Sequence, residues 1–319
     1  MPGREGDAAV PGGPLLSSSG VTNLPASVHQ RLLNVARGTN RPFNEVLQFF
    51  AIERFIYRLS MTPHANRFVL KGALMVRVWR GSASRPTRDI DLLGLGDNSL
   101  EGLAAVVRDA CEIQVGNDGM TFDAESVTAA RITEDADYEG VRLRFRGYLG
   151  NAGVSVQVDV GFGDALSPGA RRVRYPGLLD FPSAELDGYL PEETIAEKLQ
   201  AMAKLGEINS RMKDFYDIWF LSRTFGFNGD VLSCAISATF RRRATLIAAA
   251  LPLFESSFAS DAARSRQWSA FVTRTGLSDA PGSFEDLMLA VAEFLHPVVS
   301  AAEKGRTIQG DWRPSGPWG

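Results

Sequence analysis

The chain has 319 residues, with 34 basic side chains against 37 acidic ones, a hydrophobic share of 45% and a formal net charge of −3. These values exclude a disordered or fibrous protein and a globally basic nucleic-acid binder, so any polynucleotide contact must come from a local patch. Two cysteines, Cys111 and Cys234, and three widely spaced histidines exclude a disulfide framework and a cysteine-rich zinc site.

Residues 1–24 are rich in Gly, Pro and Ser and read as a flexible segment without the apolar run of a signal peptide. No stretch is long and apolar enough to span a bilayer, so a cytoplasmic protein with no membrane partner is expected. VHQRLLNVAR, stopped by Gly38, and Asn44–Leu59 carry helical periodicity. FVLKGALMVRVW (68–79) starts as an apolar strand and turns into a helix near Gly72. RDIDLLGL (88–95) reads as a strand and residues 99–113 as a helix. Residues 127–134, 141–149 and 154–162 alternate and are β-branched, as adjacent antiparallel strands are. From Thr194 to about Phe225, and from Val231 to Leu253, the pattern is helical, and residues 284–303 form a last amphipathic helix. The expected organisation is a core at 25–190, a helical domain at 191–305 and an irregular tail at 306–319, on which Trp312 and Trp318 can dock. The fold class is mixed α/β (α+β), a sheet with flanking helices followed by a helical half.

Four groups of residues carry chemistry. In RPTRDIDLL (85–93), Asp89 and Asp91 lie two apart on a strand and face the same way, so they repel unless a cation lies between them. A solvated strand end is the plain alternative. In SVQVDVGFGD (155–164), Asp159 interrupts an apolar strand and needs a partner, either a metal shared with Asp89 and Asp91 or a salt bridge. Asp164, placed in a turn by Gly161 and Gly163, is the poorer candidate. Lys71 and Gly72 stand where a strand meets a helix, a position that suits an anion, although no Walker A motif is present. In the helical half, Lys198 lies beside the buried stripe Ile195, Leu199 and Met202. Asp214 and Asp217 share a helix face, and Lys213 is spaced to pair with Asp217. Only five of the basic residues are lysines, and four of these (Lys71, Lys198, Lys204 and Lys213) fall in such segments.

Two carboxylates on one strand, a third on another and an upstream glycine turn match the hG[GS]…DhD…hDh pattern of the nucleotidyltransferase superfamily. The order LKGALMVRVW, RPTRDIDLL, VQVDV, TIAEKLQAMAKL, RMKDFYDIWFL over residues 28–225 resembles the AbiEii/AbiGii-type nucleotidyltransferase toxins, which include the MenT toxins. Ala73 departs from the pattern, where a second Gly or Ser is common. The stretch from Gly72 to Asp89 is also longer than in the generic motif. The resemblance implies a nucleotidyltransferase-type mixed sheet and a toxin of a type IV toxin–antitoxin system active in phage defence. It implies transfer of a nucleotide from an NTP to the 3′ acceptor end of tRNA, which blocks aminoacylation and translation.

Carried over by position, Asp89, Asp91 and Asp159 would hold divalent metals, Mg2+ or Mn2+. Lys71, Gly72, Arg85 and Thr87 would meet the nucleotide. Lys198 would be the essential lysine, and Asp214 or Asp217 the distal acid. A cognate antitoxin encoded nearby is the expected partner. For the RNA, the run Arg241, Arg242 and Arg243, with Arg264, Arg266 and Arg274, is the candidate patch, against a plain solvated helix face. Transfer to a protein or a small molecule, an NTP-binding module without catalysis, and a metal-dependent nuclease are the competing readings.

Overall fold

The computed structural model describes residues 23–81, 87–132 and 140–319. The first helix, α1 (Leu24–Gly38), starts where the Asn23 side chain accepts the Ala26 N–H at 3.2 Å. It packs on α2 (Phe43–Met61), whose apolar face buries Phe50, Phe55 and Ile56. Arg54 and Arg58 are also buried on α2, both paired with Asp118. A short turn leads to β1 (Phe68–Leu70), and α3 (Gly72–Arg80) follows at once. Next come β2 (Asp89–Gly94), α4 (Leu100–Glu112), β3 (Met120–Arg131), β4 (Gly140–Leu149), β5 (Ala152–Phe162), β6 (Ala170–Arg174) and β7 (Glu185–Tyr189).

Among the described residues these strands form one seven-stranded sheet in the order β3-β4-β5-β2-β1-β7-β6. The pairs β2–β5 and β1–β7 are parallel and the others antiparallel, which makes the sheet mixed. Strand alternation sorts its two faces. Val141, Leu143 and Phe145 of β4 and Val156, Val158 and Val160 of β5 are buried on the side packed against α2 and α4. The opposite face of β2, β5 and β4 is polar.

The helical half contains α5 (Pro191–Leu205), α6 (Met212–Thr224), β8 (Phe227–Asn228), α7 (Gly229–Arg242), α8 (Ser256–Ala259), α9 (Ala262–Thr275), α10 (Phe284–Glu303) and β9 (Asp311–Trp312). It has its own apolar cluster around Phe215, Tyr216, Phe284 and Phe294. Val76 of α3 belongs to this second cluster, so α3 is packed from both sides. Trp312 docks as expected: it is buried, its indole N–H donates to the Ser222 carbonyl at 2.7 Å, and Trp318 stacks on Phe294.

Several boundaries differ from the sequence expectation. The strand expected at 127–134 begins at Met120 and includes a register shift between Asp123 and Thr128. Strands β6 and β7 were not anticipated, and neither was α9. The helical stretch expected from Thr194 to about Phe225 is two helices, α5 and α6, parted at Gly206, which has φ +52°. The helix expected to reach Leu253 stops at Arg242, before Ala244 enters the left-handed region at φ +47°. No helix among the described residues is long and apolar enough to cross a membrane. Residues 1–22, read as flexible, lie outside the described residues.

Candidate active site

The parallel pairing of β2 with β5 sets Asp91 directly beside Asp159, and Asp89 beside Gln157. All four side chains share the polar face, because residues at i and i+2 of a strand point the same way. Burial, reinforced by repulsion from Asp159, pushes the Asp89 carboxyl above its ordinary range despite Arg142 and Lys213. Burial also raises Asp91, and repulsion from Asp159 and Asp89 adds to it while Lys71 opposes it. Neither carboxylate has a hydrogen bond or ion pair among the described residues.

Asp159 has found a different partner. Arg142, its cross-strand neighbour on β4, grips it with two bonds: Nε to Oδ1 at 2.9 Å and Nη2 to Oδ2 at 2.8 Å. This is the salt bridge that the sequence left as the alternative to a shared metal. Among the described residues, no three His, Cys, Asp or Glu side chains are grouped so as to hold a metal ion.

The turn between β1 and α3 brings Lys71 and Gly72 against the acids. The Lys71 N–H donates to the Asp91 carbonyl at 3.0 Å. Gly72 has φ +62°, and a Cβ there would overlap the Asp91 carboxylate. A glycine is therefore required twice over, by backbone conformation and by close approach. Lys71 is nearly buried, and its Nζ lies 2.6 Å from Asp164 Oδ2 and 3.4 Å from Glu197 Oε1. Asp164 also receives Arg243 at 2.8 Å. Burial opposes its ionisation, but Lys71 and Arg243 together hold the carboxyl well below its usual range. Burial raises Glu197, which accepts the Tyr189 hydroxyl at 2.9 Å. Asp164, set aside in the sequence as a turn residue, thus anchors the lysine beside the acids.

Across the cleft, Lys198 of α5 reaches both candidate distal acids on α6. Its Nζ lies 2.7 Å from Asp214 Oδ1 and 2.8 Å from Asp217 Oδ2. The expected Lys213–Asp217 pair is replaced by this one. Asp217 is 0% exposed, whereas Asp214 lines the open space. That space is a cavity of about 620 Å³ between the sheet face and α5–α6. It is walled by Lys71, Gly72, Thr87, Asp89, Asp91, Arg142, Asp159, Lys198, Lys213, Asp214 and Arg243, among others.

The structure thus brings Lys71, Gly72, Thr87, Asp89, Asp91, Asp159, Lys198 and Asp214 to one cavity and leaves Asp217 behind Lys198. Thr87 donates its hydroxyl to the Asp89 carbonyl at 3.3 Å. Arg85 lies outside the described residues. The three arginines expected to form an RNA patch divide instead. Arg241 and Arg242 are exposed, with Arg242 donating to the Gly163 carbonyl. Arg243 turns inward to Asp164, Glu197 and Gln200. Arg264 lies over the Phe258 ring, 3.8 Å from its centroid. Sequence reasoning passed over Arg142 and Glu197. For Arg142 a signal was available: arginines alternate at 142, 144 and 146 on the strand that neighbours VQVDV.

Residues 54–290 match the family model described as nucleotidyl transferase AbiEii toxin, type IV TA system. No curated protein matches the chain. Among solved structures, it is similar to JHP933 from Helicobacter pylori at 15% identity and a TM-score of 0.44, over 88% of this chain and 92% of that one. A second H. pylori structure, described as a candidate nucleotidyltransferase, is 16% identical with a TM-score of 0.42, over 88% and 95%.

Proposed function

The chain belongs to the AbiEii family of nucleotidyltransferase toxins of type IV toxin–antitoxin systems, and on that premise we propose that it moves a nucleoside monophosphate from an NTP to the 3′ acceptor end of tRNA. A tRNA capped in this way no longer accepts its amino acid, and translation stops. The antitoxin, encoded nearby, is the expected counterpart.

The observation that carries this reading is the convergence on one cavity of Asp89 and Asp91, the Lys71–Gly72 turn, and the Lys198–Asp214 pair. In the reaction, the acceptor 3′-hydroxyl oxygen forms a bond to the α-phosphorus. The bond from that phosphorus to the β-bridging oxygen breaks, pyrophosphate leaves, and the hydroxyl proton passes to a carboxylate of the site. Lys71 and the N-terminus of α3 suit the triphosphate, since exposed N–H groups and the helix dipole favour an anion. Asp164 and Glu197 hold the Lys71 ammonium in position. Lys198 faces the cavity from the other wall, where its charge neutralises phosphate, and Asp214 orients it.

Asp89 and Asp91 suit a divalent cation, Mg2+ or Mn2+. Both carboxyls are raised above their ordinary range by burial and crowded negative charge, which outweigh the cations Lys71, Arg142 and Lys213 nearby. Asp159 would join them once Arg142 releases it. Held by these carboxylates, such a cation would supply charge stabilisation to the entering and leaving oxygens of an in-line displacement. The test is to incubate the protein with total tRNA, Mg2+ and each α-labelled NTP in turn, beside Asp91→Ala. Label on tRNA from one NTP, lost in the variant, is the expected result. Labelled protein or small molecule with unlabelled RNA would move the acceptor elsewhere. RNA shortening without NTP would indicate a nuclease.

A further inference from the structure

Resting on the RNA-acceptor reading, we propose that the strand leading to the acceptor 3′ end is carried by the open face of β4, along Arg142, Arg144 and Arg146, with Tyr148 as a base-stacking platform at the far end. These four side chains alternate along one strand and so point to the same side, the side of the sheet that carries Asp89, Asp91 and Asp159. The residues between them, Leu143 and Phe145, are buried in the core on the other side.

Position makes the row continuous with the candidate active site. Arg142 pairs across the sheet with Asp159, and Arg144 with Gln157, which in turn neighbours Asp89. Arg146 and Tyr148 stand opposite Ser155 and Gly153, beyond the point where β2 begins. The row therefore starts at the acids and runs outward. Arg144 and Arg146 are exposed, and Arg144 is steadied by Gln157, whose Oε1 accepts its Nε–H at 3.0 Å. The acid opposite Arg146 is Asp123. Its carboxylate accepts the backbone N–H groups of Glu125 and Ser126 at the register shift in β3.

Spacing and chemistry fit an extended polynucleotide. Every second residue of a strand advances about 6.7 Å, comparable with successive phosphates of an extended single strand. Tyr148 lies across Gly153: a Cβ at that glycine would meet the tyrosine ring at 3.5 Å. Tyr148 is half-buried, so part of its ring is open to solvent. A basic track with an aromatic platform is how proteins hold single strands without reading sequence. A chain of net charge −3 thus still offers RNA a local positive path, on a different element from the Arg241–Arg243 run.

The test is binding of fluorescent tRNA, and of an unstructured RNA of the same 3′ sequence, at a series of salt concentrations. Wild type is compared with Arg144→Ala/Arg146→Ala, Arg144→Lys/Arg146→Lys and Tyr148→Leu. The double alanine variant should bind both RNAs about tenfold more weakly and lower the slope of log affinity against log salt by about 1.4, at about 0.7 per single-strand phosphate contact. The double lysine variant should recover most of the slope. Tyr148→Leu should weaken binding with the slope unchanged. NTP binding by calorimetry should stay the same in all three, which also reports intact folding. If wild type transfers label to RNA while the variants keep its affinity and slope, the proposed track is wrong and the RNA reading stands. If wild type neither binds nor labels RNA, both fall together.

Discussion

At Gly72 a single hydrogen in place of a methyl group decides whether Asp91 keeps its position. The residue is left-handed and its missing Cβ would overlap the Asp91 carboxylate. Gly72→Ala should lose about 1–2 kcal/mol from the backbone alone. Because Asp91 must also move, transfer activity should fall far more than stability does. A variant with the activity of wild type would show that Asp91 tolerates displacement. The two acids that share Lys198 should separate in the same way. Asp217 is wholly buried, and removing one partner of a buried ion pair costs about 3–5 kcal/mol. Asp217→Ala should therefore appear chiefly in the urea midpoint. Asp214→Ala, at the cavity wall, should abolish transfer with the smaller loss of stability. The reverse pattern would make Asp217 the acid that serves the reaction. The sequence placed Asp214 and Asp217 on one face of one helix. It did not show that a lysine of another helix bridges both, because that contact spans the break at Gly206.

Among the elements, those with a strong period were legible and those held by their neighbours were not. The alternation of VRLRFRGYL and VSVQVDVGF gave β4 and β5 directly, since one side of each is apolar core. ELDGY gave no such signal, yet β7 lies inside the sheet, parallel to β1. Its Gly188 is needed because Met75 of α3 and Val173 of β6 press against the position of a Cβ. A tertiary contact fixed the residue, and strand propensity had no part in it. Helix α5 starts at Pro191, ahead of the helical pattern read from Thr194, with Glu192 and Glu193 in its first turn, and the structure adds a titratable lock. Glu193 accepts the Leu190 N–H at 2.7 Å and the Gly169 N–H at 2.8 Å, tying the segment before β6 to the helix. Burial outweighs those bonds and pushes its carboxyl up to about 7. A folded-state value above the unfolded one means the folded protein binds the extra proton. Stability contributed by Glu193 should therefore fall as pH rises from about 4.5 to about 7 and stay level above that. Urea midpoints across this range should decline more steeply for wild type than for Glu193→Gln. Parallel profiles would show that Glu193 titrates normally.

For the molecule as a whole, the cavity exists because two apolar clusters meet along α3. One lies under the sheet and the other within the helical half, and the charged residues between them have no core to enter. The motifs taken together in the sequence come from segments that line one cavity in the structure. What the sequence did not foretell is the wiring between them: Arg142 with Asp159, Asp164 and Glu197 with Lys71, and Arg243 with Asp164. Arg142 and Asp159 meet through the register of two consecutive strands, whereas the other pairs join residues far apart in sequence and depend on tertiary packing. Net charge likewise said little about RNA, because a patch of three arginines on one strand is invisible in a sum.

The most direct measurement is the mass of the 3′-terminal fragment of tRNA after incubation with the protein, NTPs and Mg2+, followed by base-specific nuclease digestion, with Asp91→Ala and Lys198→Ala alongside. Transfer to the acceptor end requires that fragment to gain one or more nucleoside monophosphates in wild type and none in either variant. A fragment of unchanged mass, with labelled nucleotide found on another molecule or at an internal position, would contradict it.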